Sequence, residues 1–271
     1  MRRMRRSERP RRLIVLSLIV FAILITGERT MRRAFGPSQP PRPEALLVYC
    51  GNSMRPAAET IAEAFTDRHG TRIEFNYGGS ESLLPQIITR KEGDIFITHD
   101  PFGDLIEENG LLMKAVTVGY LTPVIIVPKG NPEAIGGLDD LLRPGLRVGV
   151  TDPRYTTCGR MVEEKLRERN AADSFNDHPN FVLQTRSHGD VATALVTGNL
   201  DAGIVWNFIG VNFADRLDTV IIDEQFPDTR VIVCHLNTSK NNAEAKRFLD
   251  FATSDRGRKV FAEYGYSKTA D

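Results

Sequence analysis

From residue 45 onward, short apolar runs alternate with longer stretches whose apolar residues fall at helical spacing. Ala45-Leu46-Leu47-Val48-Tyr49 is continuously apolar, as expected of a buried strand, and residues 56–65 follow with Ile61 and Phe65 at helical spacing. Residues 71–77 alternate apolar with polar and lead into a second helical segment, Leu83-Leu84-Pro85-Gln86-Ile87-Ile88. Residues 93–100 form a β run with a polar end, and 102–109 are helix-like and closed by Gly110. The alternation continues through 123–128, 138–142 and 146–150, which predicts parallel sheets covered on both faces. Later come a helix over 160–168, a helical stretch at 192–196 with Asp190 as its N-cap, a strand at 202–206 and a helical close over 241–264.

The folded part is expected to begin near Ala45, because what precedes it has a different composition. Ten arginines precede residue 34, and they flank the apolar stretch 13–26, which has the length of a signal-peptide core. Residues 1–27 therefore read as a signal peptide or N-terminal anchor that brings the chain to a membrane, and 28–44 as a Pro/Arg-rich tether. Export to the periplasm or the outer face of the cytoplasmic membrane follows. Lys plus Arg and Asp plus Glu are 35 each, a balance that argues against nucleic acid as a partner. Cys50, Cys158 and Cys234 are too widely spaced for a metal-ligand motif and cannot all pair within one chain.

The chemistry concentrates at joints between strands and helices. Tyr49-Cys50-Gly51-Asn52-Ser53 and Tyr77-Gly78-Gly79-Ser80 each end a strand and open a helix. The first N–H groups of a helix lack intrahelical acceptors and carry partial positive charge, so a Ser hydroxyl placed there completes an anion cradle. Two such turns on one cleft would hold a small oxyanion without Lys or Arg. Two further joints lie at 148–159, which contains Cys158, and at Ser187-His188-Gly189-Asp190-Val191.

Five segments in order resemble the periplasmic molybdate-binding proteins of ABC importers: the Ser53 joint, the Ser80 turn with Gly93-Asp94-Ile95-Phe96-Ile97, Val127-Pro128-Lys129-Gly130, Val148-Gly149-Val150-Thr151-Asp152-Pro153, and Gly203-Ile204-Val205-Trp206. The resemblance implies a two-lobed α/β type II periplasmic-binding-protein fold. Each lobe would be a mixed, mostly parallel sheet flanked by helices, with 45–122 and 232–271 in one lobe, 123–231 in the other and the ligand cleft between them. It implies a monomeric, non-enzymatic receptor, without cofactor or resident metal, that delivers molybdate or tungstate to a permease. Ser53 and Ser80 would donate hydroxyl and backbone N–H, Gly79 would shape the second cradle, and Cys158 and Val191 would donate backbone N–H. Trp206 stands where the family has a Tyr hydroxyl, and Asn52 adds an amide donor beside Ser53. Another anion, a transition metal at His99 and His188 with Asp100 and Asp190, and a membrane-tethered sensor remain as alternatives.

Overall fold

The computed structural model describes residues 45–169, 174–223 and 225–266; the signal-like segment and the tether lie outside these described residues. Ten strands are described: β1 (Leu46–Gly51), β2 (Ile73–Gly78), β3 (Ile95–His99), β4 (Leu112–Leu121), β5 (Pro123–Pro128), β6 (Val148–Thr151), β7 (Phe181–Thr185), β8 (Ala202–Trp206), β9 (Leu217–Ile221) and β10 (Thr229–Leu236). The helices are α1 (Arg55–His69), α2 (Ser80–Arg90), α3 (Phe102–Glu108), α4 (Thr157–Glu168), α5 (His188–Val196), α6 (Asn207–Asn212), α7 (Asn242–Ala252) and α8 (Asp255–Glu263).

The strands form two five-stranded sheets of the same design, β2-β1-β3-β10-β4 and β7-β6-β8-β5-β9. In each, three strands pair in parallel and the fourth, β10 or β5, runs against its neighbours. The reversed strands are the ones by which the chain enters each sheet from the other. Each sheet is thus mixed and mostly parallel, as expected: a strand arriving from the opposite lobe enters from the far end and must point the other way. The fully apolar β1 is buried along almost all its length, because strands flank it on both sides and helices cover both faces.

The short helix α6 was not read from the sequence, and three of the strands missing from that reading, β4, β7 and β9, lie at sheet edges, where partial exposure dilutes periodicity. Helix starts also differ. α4 begins at Thr157, capped by Thr156, and α5 begins at His188, where Ser187 and not Asp190 is the cap and accepts from the Asp190 N–H. Residues 139–142 make a short 3-10 turn, and the closing helical stretch is two helices separated by the Ser254 cap.

The lobes share one continuous apolar core that includes Cys50, Val118 and Tyr266 with Val191, Trp206 and Phe208. Where β4 passes into β5, Asn207 donates its backbone N–H to the Thr122 carbonyl at 2.9 Å, and its side-chain oxygen accepts from the Thr122 N–H at 3.1 Å. Asn207 Nδ2 also donates to the Gly265 carbonyl at 2.9 Å, and the Tyr120 N–H donates to the Tyr266 carbonyl at 2.8 Å. The crossover, α6 and the end of the chain are thereby tied at one point beneath the cleft.

Candidate functional site

Between the C-terminal ends of the two sheets lies a cavity of about 50 Å³. A single water needs about 10–15 Å³ on the same measure, so the space suits one compact ion of a few heavy atoms rather than an extended organic solute. The first lobe lines it with Gly51, Asn52, Ser53, Gly79, Ser80 and His99, joined by Met54 and Glu81; the second contributes Tyr155, Thr156, Thr157, Arg186, His188 and Trp206.

Ser80 is the best-defined donor. It is buried at the first position of α2, after Gly79, and caps nothing with its side chain. The buried Thr98 hydroxyl, on β3, donates to Ser80 Oγ at 2.9 Å. With its oxygen already accepting, the Ser80 hydroxyl keeps its own hydrogen for the cleft. The backbone N–H groups of Ser80 and Glu81, first in the helix, add two outward-facing donors. Gly51 makes this approach possible, since a Cβ there would lie 3.0 Å from Ser80 Oγ and collide with the Met54 methyl.

Ser53 sits in a 3-10 turn, Asn52–Met54, just before α1, and so is not itself the cap of that helix. Its position is set from behind, because the buried Tyr266 hydroxyl donates to the Ser53 carbonyl. Burial pushes the Tyr266 phenol well above its ordinary pKa, so it remains a donor at any working pH. Tyr266→Phe is expected to weaken ligand binding a few-fold and to lower stability by about 1 kcal/mol, the usual net worth of one hydrogen bond. Calorimetric titration beside thermal unfolding checks both.

Five of the seven residues expected at the site, Asn52, Ser53, Gly79, Ser80 and Trp206, line this cavity. Cys158 and Val191 are not among its lining residues and lie beneath it. Val191 packs its side chain into the space left by Gly149 and Gly203, and a Cβ on Gly149 would come within 3.1 Å of it. Cys158 is buried next to Thr151, whose hydroxyl lacks a full hydrogen bond and is the one sealed side-chain polar atom without a partner among the described residues. Burial pushes the Cys158 thiol far up, so it stays protonated. All three cysteines are free and buried, and Cys234 is pushed up to about 12 by burial.

Sequence reasoning missed most of the second-lobe wall. Thr156 and Thr157 were read as loop before a later helix start. Arg186 contradicts the expectation of a site without a cation: it stands at the mouth, with its guanidinium carbon 3.5 Å from the centroid of the Tyr155 ring. The signal for it was its place immediately before the Ser187 cap.

His99 and His188 face the cavity from opposite lobes, both buried, with Trp206 between them at ring separations of 6.4 Å and 6.0 Å. Burial lowers the pKa of both, His188 down to about 3, so the two imidazoles are neutral. Asp100 and Asp190 do not join them. The Asp100 carboxylate takes two side-chain donors from Arg230, the shortest at 2.7 Å, plus the Arg230 backbone N–H at 2.8 Å, and Asp190 accepts from the Thr185 hydroxyl at 2.9 Å. Among the described residues no group of three or more His, Cys, Asp and Glu is arranged to hold a metal ion.

A family profile described as bacterial extracellular solute-binding protein matches residues 46–267. The molybdate-binding protein ModA of Mycobacterium tuberculosis is 28% identical over 264 residues, covering 94% of this chain and 96% of its own length. Among solved structures, the periplasmic molybdate-binding protein of Azotobacter vinelandii superposes with a TM-score of 0.69 at 15% identity, covering 83% of this chain and all of the other. Iron-bound HitA of Pseudomonas aeruginosa does so with a TM-score of 0.67 at 20% identity, covering 84% and 88%. At those identities the superpositions establish the two-lobed periplasmic binding fold and not the ligand.

Proposed function

The chain belongs to the bacterial extracellular solute-binding proteins, a family of non-enzymatic transport components, and from that membership we propose that it is the monomeric receptor of an ABC importer whose cleft captures a tetrahedral oxyanion, molybdate or tungstate. The observation that carries the reading is the Ser80 cradle: a buried hydroxyl whose oxygen is occupied by Thr98 and whose hydrogen is free, beside open helix N–H groups in a cavity of about 50 Å³. Ser53, the Asn52 amide and the Trp206 indole N–H supply further donors. A fixed array of N–H and O–H dipoles favours an anion whose oxygens facing those donors are deprotonated acceptors, and releases it when the lobes part.

The competing ligands of this fold have recognisable requirements. A phosphate receptor that accepts a protonated anion with an aspartate would use Asp100, but Arg230 already engages that carboxylate. An iron receptor needs a converging set of oxygen and nitrogen ligands, and among the described residues no group of three or more His, Cys, Asp and Glu is arranged to supply one. On this reading the N-terminal segment exports the chain and keeps it near the membrane that holds its permease.

Calorimetric titration of the full chain with molybdate, tungstate, sulfate, phosphate and ferric ion tests the proposal. Molybdate or tungstate is expected to bind more tightly than sulfate by at least roughly tenfold, about 1.4 kcal/mol. Binding of ferric ion alone, or of none of the five, would overturn it.

A further inference from the structure

The cleft contains two histidines that an array of neutral donors does not use. His99 Nδ1 lies 2.7 Å from the Asp100 carbonyl oxygen. A carbonyl only accepts, so Nδ1 carries the hydrogen and the neutral ring has its lone pair on Nε2. His188 is fixed the other way: its Nδ1 accepts from the Trp206 backbone N–H at 3.4 Å, which leaves the hydrogen on Nε2. Neither Nε2 has a protein partner among the described residues, and neither is a sealed orphan, since the one such atom there is Thr151 Oγ1. Both nitrogens are therefore open to the cavity that the two rings line.

The two open nitrogens are opposite in character. His188 offers an N–H to an anion. His99 offers a lone pair, which repels an anion oxygen unless a proton stands between them. We propose that His99 and His188 contact the bound oxyanion and that capture is proton-linked, each anion entering with one proton that is shared between His99 Nε2 and an anion oxygen. The inference rests on the oxyanion reading above. The proton comes from solvent, no heavy-atom bond changes, and the product is a charge-assisted hydrogen bond in place of a repulsive contact.

The surroundings hold His99 neutral until the anion arrives. On its own segment, the Asp100 carboxylate is committed to Arg230. From α4, Arg160 opposes protonation, and from α5, His188 is the facing imidazole. Glu81 on α2 and Arg186 and Tyr155 at the mouth complete the charged and titratable groups around the cavity. Burial outweighs the favourable Asp100 carbonyl and lowers the His99 pKa. An anion acts in the opposite direction, so between the imidazole's pKa in the free protein and its higher value in the complex, affinity rises as pH falls, by up to tenfold per pH unit for one proton. Above the value in the complex the dependence levels off.

The test is calorimetric titration of the full chain with molybdate and with sulfate, from about pH 5.5 to 8.5, in pairs of buffers with different ionisation enthalpies. Sulfate stays deprotonated over this range, and molybdate does so while kept dilute enough to remain monomeric, so any proton taken up under those conditions is bound in the complex. Expected are weaker binding as pH rises and uptake approaching one proton per anion on the acid side. His99→Gln should abolish the uptake and flatten the profile while retaining binding at the alkaline end; His188→Gln should weaken binding and keep the uptake. Tight binding with no uptake and a flat profile overturns this inference alone. Uptake unchanged in His99→Gln assigns the proton to another group, such as Glu81, and also overturns it. Failure of both anions to bind overturns the oxyanion reading and this inference with it.

Discussion

Ser80→Ala is expected to weaken oxyanion binding by about 1–3 kcal/mol, roughly fivefold to somewhat over a hundredfold, through loss of a donor to a charged ligand. The site makes the loss larger than deletion of an ordinary serine would. Ser80 is 2% exposed, and its oxygen is the acceptor for the fully buried Thr98 hydroxyl, so alanine removes the ligand's donor and strands a second polar group beneath it. Stranding a buried hydroxyl costs about 1–3 kcal/mol, and that part appears in thermal unfolding without ligand. Titration and unfolding on the same protein separate the two effects. Ser53→Ala is expected to lower affinity within the same range but to leave unfolding nearly unchanged, because the turn at Ser53 is anchored by its carbonyl through Tyr266 and not by its hydroxyl. The two losses need not add, since both serines would touch one ion. Unchanged affinity in both variants would show that the anion is not held in this cleft.

What the chain reveals before folding is governed by how local each cause is. β1, β3 and α1 were legible because a strand buried on both faces or a helix with one apolar stripe writes its environment into a few consecutive residues. The edge strands β4, β7 and β9 were not, because their partners alone define them, and β4 finds β10 more than a hundred residues later. The same division runs through the site. Ser53 and Ser80 announce themselves by standing where a strand turns into a helix, which is a local pattern. His188 became a wall residue only because α5 starts four residues earlier than its apolar periodicity indicates, and Arg186 only because Tyr155, from a different joint, offers its ring face. Asp100 stood beside His99 as a candidate metal ligand because its partner Arg230 is remote in sequence. Tyr266 supports Ser53 across the whole length of the domain, and no spacing rule could place it there.

Gly159→Ala is the sharpest test of how the second lobe presents its wall. Gly159 is the third residue of α4, and its N–H donates to the Thr156 cap hydroxyl at 3.2 Å. Helix propensity alone favours alanine at such a position by about 0.5–1 kcal/mol. A Cβ there would collide with the Thr151 carbonyl oxygen at the end of β6 and lie 2.8 Å from Thr156 Oγ1. A backbone carbonyl cannot rotate away as a side chain can, so the first turn of α4 must lift, and overpacking of this kind costs typically about 1–3 kcal/mol. The net expectation is destabilisation by about 1–2 kcal/mol, a fall in Tm of several degrees at about 2–4 °C per kcal/mol for a domain of this size. Affinity should fall with it, because Thr156 and Thr157, which line the cavity, move with the turn. Gly189→Ala in α5 is the matched control: a Cβ there meets only Ser187 Oγ at 3.5 Å, an ordinary contact, so propensity should prevail and stability should hold or rise. Opposite signs for two glycine-to-alanine changes in the first turns of neighbouring helices would come from the packing of α4 on β6 alone. Equal, stabilising effects would mean that α4 does not rest on that carbonyl and that Thr156 and Thr157 are not held where an anion could meet them.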